Sequence, residues 1–135
     1  MTRFDHLDHI GIAVTDLDAA IALYTTLHST PPSHITTVAS EQVRVAFFPV
    51  GPTNIELLAA THAGSPIAHF IAKRGPGLHH LCYAVVNFDA TVAELTAAGL
   101  TPIARNTTVG ADGQRVIFFH PKSTGGVLIE LVESP

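Results

Sequence analysis

Four side chains in this sequence have the types and the placing for chemistry: His9, Glu56, His80 and Glu130. Each histidine opens a run that otherwise reads as a buried strand, HIGIAV at 9–14 and HLCYAV at 80–85. Successive strand residues point to opposite faces. Ile10, Ile12 and Val14 therefore share one face, and His9, Gly11 and Ala13 the other. Leu81, Tyr83 and Val85 likewise oppose His80, Cys82 and Ala84, while His79 points away from His80. In both runs an imidazole stands among small neighbours. Each glutamate lies between aliphatics, in NIELL (54–58) and LIELVE (128–133). A carboxylate there is costly to bury alone and needs a cation, a donor or water. Two imidazoles and two carboxylates could close around one divalent ion, whose charge the carboxylates balance. Mixed nitrogen and oxygen ligation suits cobalt, manganese, nickel, zinc or iron better than calcium. Four protein ligands on a six-coordinate ion leave two positions for water or substrate oxygens.

A lone histidine at a strand start, or a lone glutamate within a strand, is ordinarily structural. Here both recur within one chain. Shifted by 71 residues, HIGIAVTDLDAAIALYTTLH (9–28) falls on HLCYAVVNFDATVAELTAAG (80–99), and RVAFF (44–48) falls on RVIFF (115–119). At a shift of 74, IELL (55–58) falls on IELV (129–132), the three extra residues lying around HPKSTGG. Three matches in the same order mark a duplicated unit. The units span about 5–60 and 76–135, with a connector over 61–75, in one domain of 135 residues. His28, His34, His62, His69 and His6 lack this support and read as surface residues, and His120 precedes a turn.

The elements that must position these groups follow from periodicity. Each unit reads as strand, helix and three strands, a βαβββ module. Asp16 and Asn87 stand where N-caps belong. Leu17, Ile21, Tyr24 and Leu27 form a helical stripe, repeated by Phe88, Val92 and Leu95, and Gly99 ends the second helix. Strands are predicted over 34–39, 43–50, 53–59, 101–105, 114–120 and 126–133. Pro31-Pro32, Gly51-Pro52, Gly110 to Gly113 and Gly125-Gly126 punctuate them. SPIAHFIAKRG, in the connector, predicts a short helix.

Composition narrows the function. Apolar residues make up 47% and charged residues 13%, as in a globular chain, and the net charge of −4 without a basic run argues against nucleic acid. Cys82 is the single cysteine, so no intrachain disulfide forms. No apolar run approaches the ~18 residues of a membrane span, and the first eight residues lack a signal-peptide core. The expected location is cytoplasmic, with no membrane partner.

The segments DHIGIAVTDLDAA, VRVAFFPVGPTNIELLA, SPIAHFIAKRGPGLHHLCYAV and FFHPKSTGGVLIELVE together resemble the vicinal oxygen chelate superfamily, which includes glyoxalase I, extradiol dioxygenases and bleomycin-resistance proteins. The ordered pair KRGPGLHH and HPKSTGGVLIEL is similar to the methylmalonyl-CoA epimerase branch. The resemblance implies an α+β fold, in which paired βαβββ modules form curved mixed sheets around a metal-binding cup. It implies metal ligands at His9, Glu56, His80 and Glu130, and a homodimer. The implied reaction inverts C2 of methylmalonyl-CoA, an acyl-CoA thioester: a base removes the α-proton, and the ion stabilises the enolate. Glu130 is one implied base. The other is an acid ahead of the third strand. Counting back from Val43 without a gap puts Ser40 in its place, and Glu41 takes it only with one residue deleted. Lys122, Ser123 and Thr124, or Lys73 and Arg74, could meet the anionic groups of such a substrate, or simply face solvent. A glyoxalase-I-like lyase or isomerase, and a metal-free ligand-binding protein, are the alternatives on this fold.

Overall fold

The computed structural model describes residues 2–103, 108–109 and 114–135. The first module runs β1 (Phe4–Ala13), α1 (Leu17–His28), β2 (His34–Val38), β3 (Val43–Val50) and β4 (Thr53–Ala60). The connector forms α2 (Pro66–Arg74). The second module repeats the order with β5 (Gly77–Val85), α3 (Phe88–Ala97), β6 (Thr108–Val109), β7 (Arg115–Phe119) and β8 (Ile129–Glu133). The fold is α+β, in the βαβββ sequence that the repeat implies. Among the described residues no helix is long and apolar enough to cross a membrane.

The chain forms two compact units, which cut across the repeat. One holds residues 1–9 and 80–135, the other residues 10–79. β1 thus contributes its first half to one unit and its second half to the other, as β5 does in reverse.

In the unit of residues 10–79, strands follow the order β2-β3-β4-β1. Both β2–β3 and β3–β4 are antiparallel, with Phe47 opposite Glu56. Asp16 caps α1 by accepting the Ala19 N–H at 3.1 Å. Leu17, Ile21 and Tyr24 then pack on Ala46, Phe48, Leu57, Ile12 and Val14. Leu27, expected on the same stripe, is instead 70% exposed, and His28, expected at the surface, takes its place with its ring 4.9 Å from that of Phe48. α2 is capped by Ser65 and buries Ile67 against Val45, Phe47 and Leu58.

In the other unit the order is β1-β5-β8-β7-β6. Phe4 stacks on Tyr83 with ring centres 4.3 Å apart and fixes the start of β1. β5 and β8 are parallel, with Cys82 opposite Glu130, while β7 and β8 are antiparallel, with Phe118 opposite Glu130. Val85, Phe88, Ile117, Phe119 and Leu131 form the core under α3, joined by Val92 and Leu95. Gly99, at φ 108°, ends this helix in a conformation that suits glycine.

Two strand expectations shorten. Over 101–105 the described residues make only an isolated bridge between Pro102 and Phe119. The Ile103 N–H donates to the Phe118 carbonyl at 2.9 Å and the His120 N–H to that of Thr101 at 2.7 Å; residues 104 and 105 lie outside the described residues, as do Gly110 to Gly113. The last strand begins at Ile129 rather than 126. Gly125 and Gly126 have φ of 72° and 97°, and the Gly126 N–H bonds to the Pro121 carbonyl at 2.7 Å. The chain is still turning where a strand was expected.

Candidate active site and metal centre

His9, His80 and Glu130 come together inside one compact unit. His9 lies at the end of that unit's share of β1, His80 at the start of its share of β5, and Glu130 on β8 next to β5. Glu130 is level with Cys82, and His80 is two residues back on the same face. That diagonal across neighbouring strands is within reach of long side chains. His9 Nε2 is 2.9 Å from His80 Nε2 and 2.9 Å from Glu130 Oε1, and His80 Nε2 is 3.0 Å from the same oxygen. All three residues are buried, at 6–8% exposure. The Phe118 ring lies edge-on to His80, 5.6 Å between centres.

This triangle is not an ordinary hydrogen-bond network. Among the described residues no donor meets the buried Oε1 of Glu130 in hydrogen-bonding geometry. The imidazoles nevertheless lie close enough to attract its charge. Burial pushes the Glu130 carboxyl up, but His80 and His9 outweigh it and hold it down at about 2. Two imidazole lone pairs 2.9 Å apart repel unless a proton or a cation lies between them. Two ligand atoms at right angles on ~2.1 Å bonds are about 3.0 Å apart, whereas tetrahedral angles separate them by about 3.4 Å. The three edges here are 2.9, 2.9 and 3.0 Å. They fit one face of an octahedral ion, with two imidazoles and a carboxylate.

Asp8 adjoins this triangle: its Oδ2 is 2.7 Å from His9 Nδ1. Asp8, His9 and Cys82 form a second close group. Cys82 is fully buried and its thiol is pushed up to about 12, chiefly by burial, so it offers a neutral thiol rather than a thiolate ligand. Strand alternation assigns Asp8 to the face away from His9 and so overlooks it. The adjacent acid and imidazole in HLDHIG are the signal that marks it.

Glu56 lies in the other unit, on β4, at 6% exposure. Glu41 is exposed, at the end of the one-turn 3-10 helix Ala39–Glu41. Gln42 follows at φ 52°, so simple strand alternation cannot be carried back from Val43 across this break. In the HPKSTGG loop, the Ser123 hydroxyl donates to the His120 carbonyl at 2.8 Å and Thr124 donates to that of Val127 at 2.6 Å. These hydroxyls hold the turn. Lys122, Lys73 and Arg74 are exposed.

Residues 8–118 match the family model described as the glyoxalase/bleomycin resistance protein/dioxygenase superfamily. Human mitochondrial methylmalonyl-CoA epimerase is 38% identical over 129 residues, 95% of this chain and 73% of the human protein. The crystal structure of methylmalonyl-CoA epimerase from Mycobacterium tuberculosis superposes with a TM-score of 0.92 at 37% identity, covering 100% of this chain and 92% of that one. A methylmalonyl-CoA epimerase in complex with methylmalonyl-CoA and NH4+ superposes at 0.91 with 32% identity, covering 97% and 95%. The chain thus belongs to the glyoxalase/bleomycin resistance protein/dioxygenase superfamily and, within it, to the methylmalonyl-CoA epimerases.

Proposed function

We infer that this chain is an epimerase that interconverts the C2 epimers of methylmalonyl-CoA, using one divalent metal ion. The observation that carries the site is the buried triangle of His9, His80 and Glu130, with edges of 2.9 to 3.0 Å. Named relatives, of which the chain spans 73% and 92%, support the substrate. The repeat argues for Glu56, the counterpart of Glu130, as a fourth ligand.

The α-proton of a thioester is weakly acidic, and the neighbouring carboxylate makes the carbanion harder to form. A bound divalent ion supplies Lewis-acid stabilisation of the enolate, several kcal/mol in such sites. The imidazoles of His9 and His80 bring nitrogen donors without adding charge. Glu130 stays ionised at neutral pH, since its carboxyl is held at about 2. Its buried Oε1 faces both imidazoles at 2.9 and 3.0 Å, which leaves Oε2 to take the C2 proton. A base of such low affinity needs the developing enolate to be stabilised as the proton leaves. Glu41 is the proposed acid for the opposite face. The ion is cobalt, manganese, nickel, zinc or iron, the metals that accept two imidazoles with carboxylate.

The test is hydrogen–deuterium exchange at C2 of methylmalonyl-CoA in D2O. Exchange that chelator abolishes and cobalt restores is the expected result. Exchange unaffected by exhaustive chelation, with no metal in the protein, sinks the metal-enolate reading. We also propose a homodimer, supported by Leu23 and Leu27, one turn apart on α1 at 64% and 70% exposure. Light scattering that returns the 14.3 kDa monomer mass would exclude it.

A further inference from the structure

We propose that Asp8 is a positioning residue of this site: it fixes His9 in the tautomer and ring orientation that turn Nε2 toward Glu130 and His80. The inference rests on the metal reading above.

The Asp8 Oδ2 to His9 Nδ1 distance is 2.7 Å, in the range of charge-assisted hydrogen bonds. Neutral imidazole carries one proton on one of its two nitrogens. A carboxylate accepts and cannot donate, so Asp8 draws the His9 proton to Nδ1. Nε2, across the ring, is then a lone-pair donor where it meets His80 and Glu130. Side-chain exposure falls from 22% for Asp8 to 11% for His9 and 7% for Glu130, so the contact leads inward from the rim. The Cys82 thiol also lies beside His9, but sulfur is the weaker acceptor. Outside Asp8, its Oδ1 is 3.9 Å from His6 Nε2, and His6 Nδ1 is 2.9 Å from Asp5 Oδ2. His79 aligns with Asp8 in the second copy, so a carboxylate at this position is a feature of the first strand alone. Partners of this kind restrict ring rotation and raise the basicity of the opposite nitrogen. Their loss ordinarily weakens metal affinity by about 10–100-fold.

The experiment uses the full chain as wild type, Asp8→Asn and Asp8→Ala. Cobalt affinity is measured by chelator competition, and the cobalt ligand-field spectrum is recorded. Asp8→Ala is expected to weaken cobalt binding by about 10–100-fold and to shift the spectrum. Asp8→Asn keeps an accepting oxygen and should recover most of the affinity. Alanine binding within twofold of wild type, with an unchanged spectrum, overturns the proposal. A wild type that binds no cobalt overturns the metal reading itself, a separate outcome. Should the alanine variant fail to fold, long-range 1H–15N spectra of metal-free wild type decide. A proton on His9 Nδ1 is expected, and an Nδ1 without one overturns the assignment.

Discussion

Changing Glu130 to glutamine keeps the shape of the side chain and removes its charge. The site then loses the anion that balances a divalent ion, while both imidazoles remain. Metal content should fall toward zero, and kcat/KM should drop by about 10³-fold or more, as the loss of several kcal/mol of transition-state stabilisation requires. Metal analysis beside epimerase assay checks both. Glu41 calls for a different readout. If two bases act on opposite faces, Glu41→Ala should slow epimerisation about 100-fold, while C2 exchange of one epimer continues at Glu130. Undiminished epimerisation removes Glu41 from the reaction. The gathering of His9, His80 and Glu130 was legible in the sequence because strand alternation and the repeat picked out the same residues twice. Asp8 was not, because alternation sends neighbouring residues to opposite faces, whereas a carboxylate and an imidazole can still bend toward each other. The setting of Glu41 was not legible either, since a 3-10 turn and the left-handed Gln42 interrupt the strand period.

At the scale of elements, the two copies use the same plan with unequal parts. Asp16 and Asn87 occupy equivalent caps, yet only Asp16 makes the side-chain bond, to the Ala19 N–H. Asp16→Ala should therefore cost about 1 kcal/mol in urea unfolding, and Asn87→Ala only a few tenths. Equal costs would show that the caps act through backbone conformation alone. Phe119 has no solvent exposure and joins Val85, Phe88, Ile117 and Leu131, so Phe119→Ala should cost about 3–5 kcal/mol. Helices and central strands were readable because apolar spacing reports burial. The last turn of α1 was not: Leu27 has the right spacing, but His28 takes the place over Phe48. Glycine spacing marked the turn before β8, while the backbone signs of Gly125 and Gly126 set its length.

At the scale of the molecule, the duplication is not two self-contained halves. The first strand is divided after His9, so an imidazole from the first copy joins His80 and Glu130 of the second in one compact unit. Folding of that unit and assembly of the site are then one event, and pH should link them. In metal-free protein the Glu130 carboxyl moves from 4.5 to about 2 on folding. A group lowered in this way binds protons more tightly in the unfolded chain. Its stabilisation is complete above pH 4.5 and disappears as pH falls toward 2. Glu130→Gln cannot titrate, so it serves as the reference. With chelator present, the excess of wild-type over Glu130→Gln unfolding free energy should hold steady down to about pH 5 and shrink below 4.5. The comparison needs urea titrations at several pH values with ionic strength held constant. A difference that stays level from pH 6 to pH 3 would mean that the carboxylate gains nothing from His9 and His80 on folding, and that their closeness is not an attraction.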